Sequence, residues 1–160
     1  MKSAESEFCY LKSSVGLLRL EANTWGLTKV IFSRDDQDSA AKSKNVHLIE
    51  ACSQFSEYFE GKRQGFDVEL APQGTEFQLK VWKALSDIPF GTTNSYKDIA
   101  ELVGCPKGAR AIGMANNKNP LPIIVPCHRV IGHSGKMVGY AGGLDIKTHL
   151  LRLEGLLEKD

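Results

Sequence analysis

The sequence predicts an α/β chain in two parts. A small antiparallel sheet with one helix (residues 1–72) precedes a mainly helical domain (residues 73–160) that contains a helix-turn-helix. Three observations carry this. Strand-like alternation is confined to the first part, helical spacing introduced by Ser or Thr caps fills the second, and Ala71-Pro-Gln-Gly74 breaks the periodicity between them. A chain of 160 residues can bury a real core, as one domain or two small ones.

Residues 11–20 and 27–32 read as strands around the turn signal Asn23-Thr-Trp-Gly26, which predicts a hairpin. After a polar stretch over residues 33–45, Ile49, Cys52, Phe55 and Phe59 recur at helical spacing up to Gly61. Residues 66–70 then alternate like a strand. Thr75-Glu-Phe-Gln78 is a capping box opening a helix whose buried face is Phe77, Val81, Leu85 and Ile88 and which ends near Pro89. Ser95-Tyr-Lys-Asp98 repeats the cap before Ile99, Leu102 and Val103, and Gly104 stops that helix. Cys105-Pro106 is suited to begin the next one, since proline fits a first helical turn. Two short helices about a glycine-containing turn describe a helix-turn-helix. In the C-terminal segment Ile146, Leu150, Leu153 and Leu157 define an inward stripe.

The chemistry concentrates in residues 119–132, Asn-Pro-Leu-Pro-Ile-Ile-Val-Pro-Cys-His-Arg-Val-Ile-Gly. The prolines predict a rigid, extended backbone over residues 120–126, and the apolar residues between them predict burial as a strand or core-lining segment. Cys127 is therefore expected to be mostly buried, where a thiol is inert unless a base or cation stabilises its anion. His128 and Arg129 are the nearby candidates. Adjacent side chains on extended backbone point apart, so Cys127 and His128 are expected to communicate through a water. Glu154 lies at the edge of the C-terminal stripe and just before Gly155, at a helix end where negative charge is disfavoured. A carboxylate so placed calls for a partner. A histidine held in one tautomer, as in a Cys-His-acid relay, supplies one.

The composition excludes several classes. The net charge of +1 does not by itself advertise nucleic acid, but charge is unevenly spread. Residues 97–136 carry Lys97, Lys107, Arg110, Lys118, Arg129 and Lys136 against Asp98 and Glu101, a positive field around the thiol that suits an anionic partner. The N-terminal residues lack a signal-peptide core and no segment reaches membrane-spanning length, so a cytoplasmic protein without membrane contact is expected. Cys9, Cys52, Cys105 and Cys127 have no CxxC or metal-ligand spacing, which predicts reduced thiols, no disulfide and no metal site. The second helix of the helix-turn-helix, over residues 108–115, is built from small side chains with Arg110 as its one long cation. Such a helix suits close approach to a nucleic-acid groove.

Taken in order, Phe77-Gln, Val81-Trp82, Ser95-Tyr96, Ala109-Arg-Ala-Ile-Gly113, Asn119-Pro, Pro126-Cys-His-Arg-Val130, Gly139-Tyr-Ala-Gly-Gly143 and Glu154-Gly155 resemble the O6-alkylguanine-DNA alkyltransferase family over about residues 75–155. The resemblance implies single-turnover transfer of an alkyl group, chiefly methyl, from O6 of guanine and also O4 of thymine in double-stranded DNA to Cys127. His128 would act as its base through water, Glu154 would orient His128, and Asn119 would brace the turn. Tyr96 would rotate the nucleotide and protonate guanine N3. The carbonyls of Cys127 and Val130 would receive the exocyclic amine, and Tyr140 and Ala141 would line the pocket. Some relatives carry serine where this chain has Ala141, so only the backbone N–H there could reach O6. Arg110 would replace the extruded base, with Ala109 and Gly113 on the same helix in the minor groove. Flipping is required because the O6 substituent is out of reach inside a duplex. The resemblance implies a monomer with no cofactor and no metal.

Three alternatives compete with this reading. A non-catalytic binder of alkylated DNA would share the groove-binding half but should lack the acceptor cysteine. A cysteine hydrolase would need a helix-borne nucleophile, and a helix-turn-helix regulator would need a dimerising element.

Overall fold

The computed structural model describes residues 5–33, 43–132, 140 and 142–157. The chain divides into two units, Met1–Gln73 and Gly74–Asp160.

In the first unit β1 (Glu7–Ser13), β2 (Gly16–Ala22) and β3 (Leu27–Ser33) form an antiparallel sheet in that order, packed by helix α1 (Val46–Phe59). The run expected as one strand over residues 11–20 folds back on itself, pairing Ser13 with Gly16. The Ser13 hydroxyl makes this turn by accepting from Val15 N at 3.2 Å and donating to Gly16 O at 2.7 Å, and Gly16 takes φ 101°. A side-chain turn of this kind carries no Asn-Gly signature, so alternation alone hid it. The second turn forms where expected: Asn23 Oδ1 accepts from Trp25 N and Gly26 N at 2.8 and 3.0 Å. A Cβ on Gly26 would stand 2.7 Å from the Glu69 carbonyl, so only glycine admits the segment that follows α1. That segment makes one bridge, Leu27 with Leu70, rather than the strand expected over residues 66–70. It is pinned instead by buried Gln54, which bonds to the Asp67 side chain and accepts from Asp67 N at 2.9 Å. The inward face of α1 is Leu48, Ala51, Gln54, Phe55 and Tyr58, whereas Ile49, expected inward, is 55% exposed.

The second unit holds α2 (Glu76–Ser86), β4 (Asn94–Ser95), α3 (Tyr96–Leu102), α4 (Ala109–Asn117), β5 (Val130–Ile131) and α5 (Leu144–Leu153). Both expected capping boxes form, Thr75 with Gln78 and Ser95 with Asp98. After α3 the chain reverses at Gly104 (φ 76°), with Gly104 N on Glu101 O and Cys105 N on Ala100 O closing the helix end. The next helix starts later than Cys105-Pro106: α4 begins at Ala109 behind Gly108, because residues 105–108 are used in a turn closed by Gly108 N on Cys105 O. Leu102, expected inward, is exposed, and Ala100 takes its place beside Ile99. Trp82 spans α2 and α4, its buried indole N–H donating to Ala115 O at 2.9 Å. β4 and β5 pair in parallel, Asn94 with Val130 and Ser95 with Ile131, which fixes the start of α3 beside the segment that follows Cys127.

The inward face of α5 is turned from the apolar stripe expected on it. Lys147, Leu150 and Leu151 are buried, followed by Glu154 as the C-terminal cap residue, while Leu157 is 38% exposed. Residues 147, 150, 151 and 154 repeat at i, i+3, i+4 and i+7, a single helical face with a charged group at each end. Among the described residues no helix is long and apolar enough to cross a membrane.

Candidate active site

Residues 120–126 are mostly buried, as expected, with Pro120 and Ile124 partly exposed, but they are not extended. Asn119 folds them into a tight loop: its Oδ1 accepts from Leu121 N at 2.9 Å and its Nδ2 donates to Val125 O at 2.8 Å, while Val125 N donates to Leu121 O at 2.9 Å. Ile123, at its centre, is buried with φ 77°, a strained value for a β-branched residue that the surrounding bonds enforce. Pro126 (φ −80°, ψ 65°) then makes an inverse γ-turn, Cys127 N donating to Val125 O at 2.7 Å. Cys127–Arg129 forms one turn of 3-10 helix. The prolines stiffen the backbone as expected, but they stiffen it into turns. Successive side chains of a helical turn fan out by about 120° rather than alternating between faces.

His128 and Glu154 meet as the sequence suggested. Nε2 of His128 lies 2.6 Å from Glu154 Oε2, both side chains being fully buried. A carboxylate accepts only, so this contact fixes the proton on Nε2 and leaves Nδ1 as the basic nitrogen. Nδ1 is itself buried and has no hydrogen-bond partner among the described residues. Burial pushes the His128 pKa below its ordinary value against the pull of Glu154, which keeps the ring neutral and able to accept a proton.

Arg129 is the member that sequence reasoning misassigned. It was counted in the positive field around the thiol, but it is buried. Its Nε donates to Glu154 Oε1 at 2.7 Å, Nη2 to Oε2 at 3.1 Å, and Nη1 to Ile88 O at 2.7 Å. The fork fixes the carboxylate plane and offsets its charge, so Glu154 is presented to His128 in one orientation.

Cys127 is buried. Burial pushes its thiol pKa up, opposed by hydrogen bonds from the Asn119 and Tyr140 side chains and by the charge of Lys147. The balance lies above the ordinary thiol value, so the sulfur rests as a thiol and loses its proton during reaction. Because the proton then moves from thiol to neutral imidazole within the site, alkyl transfer should hold level across the neutral range and fall only as acid protonates His128, below its ordinary value of 6.5. A rate on methylated duplex that climbs steadily with pH through the neutral range would contradict this.

Lys147 was also missed. It is fully buried and donates from Nζ to Val130 O at 2.7 Å. Burial lowers its pKa, partly offset by the Cys127 sulfur. Apolar periodicity cannot reveal a buried lysine; a cation aligned with Glu154 on one face of α5 was the available signal.

Tyr96, the first residue of α3, is half-buried, and its phenol pKa is raised by burial and then by the Cys127 charge, which places the ring in electrical contact with the sulfur. Gly113 of α4 faces that ring, and a Cβ there would meet Tyr96 at 3.8 Å, an ordinary contact. The Cys127 carbonyl accepts from Val130 N, and the Val130 carbonyl accepts from Lys147. Each carbonyl keeps a second lone pair for another donor. Tyr140 is buried, and Ala141 lies outside the described residues, as does Gly139 of the same motif. Ala109 and Arg110 lie exposed on the first turn of α4, and Lys97, Lys107 and Lys118 are exposed on the same unit. Asn119 and Tyr140 thus contact the Cys127 sulfur, Val130 bonds the Cys127 carbonyl and Glu154 holds His128, the next residue in the chain, with Tyr96 beside them, whereas Arg110 and Ala109 stand on the helix surface. Among the described residues no group of three or more His, Cys, Asp or Glu side chains is placed to hold a metal ion.

Residues 76–156 match the family model for the 6-O-methylguanine DNA methyltransferase DNA-binding domain. The chain is 48% identical over 153 residues to the methylated-DNA–protein-cysteine methyltransferase of Methanosarcina acetivorans, covering 92% of this chain and 97% of the relative. Among solved structures it is similar to the O6-methylguanine methyltransferase of Mycobacterium tuberculosis, with a TM-score of 0.84 and 41% identity over 98% of this chain and 97% of that one. It is likewise similar to Mycobacterium tuberculosis OGT in complex with DNA, with a TM-score of 0.83 and 44% identity over 92% of this chain and 91% of that one. The Cys127 site thus sits within the matched region, and the chain belongs to the methylated-DNA–protein-cysteine methyltransferase family.

Proposed function

We propose that this protein repairs DNA by direct reversal, moving the alkyl group of O6-alkylguanine onto Cys127. The observation that carries the assignment is a buried thiol contacted by Asn119 and Tyr140, next in sequence to a neutral histidine whose far nitrogen is held by Glu154. The thiol proton passes to Nδ1 of His128 through a water, and the imidazolium so formed is stabilised by the carboxylate on Nε2. The sulfur attacks the alkyl carbon in line, a C–S bond forms as the C–O bond breaks, and guanine leaves with the electron pair. Tyr96 gives its phenolic proton to guanine N3. Its pKa is raised in part by the sulfur charge, so that hold weakens as the thiolate becomes a neutral thioether. The second lone pairs of the Cys127 and Val130 carbonyls take the exocyclic amine, Tyr140 and Ala141 line the base, and Asn119 holds the loop shape.

A thioether has no easy leaving route, so each molecule acts once, and no cofactor or metal takes part. O4-alkylthymine presents the same alkyl–oxygen bond and is a second substrate. DNA binds through its minor groove to α4, where Ala109 and Gly113 allow close approach and Arg110 enters the stack in place of the flipped base. This assigns residues 1–72 as an α/β domain and residues 73–160 as the DNA-binding alkyltransferase domain of a cytoplasmic monomer. A non-catalytic lesion binder is disfavoured by the equipped thiol.

The test is a burst experiment with labelled methylated duplex. One methyl per protein molecule followed by no turnover is expected, and either continued turnover or no transfer would refute the proposal. Arg110→Ala should lower the transfer rate from duplex at least about tenfold through the lost stacking and phosphate contact. It should leave transfer from the free O6-alkylguanine base unchanged, because a free base needs no flipping. Equal losses with both substrates would place Arg110 in the chemical step instead.

A further inference from the structure

The first unit holds two thiols that this chemistry does not use. Cys9 on β1 and Cys52 on α1 are 43 residues apart in sequence, yet their sulfur atoms stand 3.4 Å apart. Neither position is accidental. Cys9 pairs with buried Leu20 across the sheet and faces inward at 5% exposure, whereas Cys52 follows buried Ala51 on α1 and is partly exposed. Two elements of regular structure therefore hold the sulfurs in contact, and a modest rotation of each side chain would bring them to the roughly 2.05 Å of a disulfide.

We propose that Cys9 and Cys52 form an oxidative modification site, a dithiol that hydrogen peroxide converts to a reversible disulfide within the first unit. The difference in exposure sets the order of events. Cys52 can be reached from solvent, so its thiolate attacks a peroxide oxygen, the O–O bond breaks, and Cys52 becomes a sulfenic acid while the released hydroxide takes up a proton as water. The Cys9 sulfur, already in contact, attacks the Cys52 sulfur, the S–O bond breaks, and the hydroxyl leaves with the Cys9 proton as a second water. Two thiols and one peroxide give one disulfide and two waters, the two sulfurs having lost two electrons in all. The hydrogen bond between them favours the same roles, lowering the Cys52 pKa and raising that of Cys9. Fast resolution would keep Cys52 from over-oxidation. The bond would also tie β1 to α1 across a long loop, which restricts the unfolded chain.

The test uses the full-length chain carrying Cys105→Ser and Cys127→Ser, so that only this pair can react. Treatment with hydrogen peroxide should lower the intact mass by two hydrogens and remove both free thiols. It should also join the peptides that contain Cys9 and Cys52, and dithiothreitol should reverse all three changes. Adding Cys9→Ala should stop the reaction at a sulfenic acid on Cys52 that dimedone captures, and the oxidised parent should unfold at higher urea than the reduced one. Retention of both thiols, sulfinic acid on Cys52 in place of the cross-link, or a disulfide only between two molecules would each overturn the proposal.

Discussion

Replacing Cys127 with serine is expected to reduce alkyl transfer by at least about 10³-fold, the order of loss seen when a nucleophile is removed, while affinity for methylated duplex stays within about twofold because Arg110 and α4 are untouched. A hydroxyl is nearly isosteric with a thiol, so the loop clamped by Asn119 should keep its shape. The difference is chemical. A serine proton cannot be passed to a neutral imidazole at comparable cost, and an alkoxide in this apolar setting would be far less stable than a thiolate. Single-turnover transfer and a gel-shift titration on one preparation check both halves. Retained transfer would move the acceptor elsewhere, and lost binding would show that the thiol shapes the DNA surface.

Glu154→Gln should act twice. Without the carboxylate on Nε2, the imidazolium loses its stabilising charge and transfer should slow by roughly 10²- to 10⁴-fold, the range for general acid–base groups. The substitution also strands a buried guanidinium, because Glu154 is the carboxylate on both Nε and Nη2 of Arg129. Leaving one partner of a buried pair uncompensated costs about 3–5 kcal/mol, a large share of a typical domain's stability. The two effects separate in the double variant Glu154→Gln with Arg129→Met. Removing both charges should restore most of the stability, since apolar replacement of a buried pair is often near neutral, whereas transfer should stay slow. Recovery of the rate together with stability would make Glu154 a structural residue only, a distinction that urea unfolding and single-turnover kinetics on the same samples resolve.

What could be read from the sequence was what depends on neighbours in sequence. Both capping boxes join residues three apart, Thr75 with Gln78 and Ser95 with Asp98, so the four letters contain the whole interaction. The Asn23 turn is local in the same sense. Glu154 could be tied to His128 across 26 residues because a carboxylate at a helix end posed a problem that a neighbouring relay could solve. Arg129 and Lys147 escaped for the opposite reason. Each looks like an ordinary surface cation until its partners are in place, and these include the backbone carbonyls of Ile88 and Val130, which no side-chain pattern records. The same blindness turned α5: the apolar positions 146, 150, 153 and 157 suggested one inward face, but charged groups with buried partners belong to another. The proline-rich loop was read as extended because proline restricts φ, yet an inverse γ-turn satisfies the same restriction. The juxtaposition of Cys9 and Cys52 depends on how α1 packs on β1 and leaves no trace in their spacing.

The chemical claim underlying the assignment is that the alkyl group ends on one particular sulfur. Incubation with an excess of O6-methylguanine duplex, followed by intact mass and peptide mapping, addresses it directly. A gain of one methylene mass per chain, located on Cys127 with Cys9, Cys52 and Cys105 unmodified, is the predicted result. An unchanged mass, or a methyl group on any other residue, would contradict it.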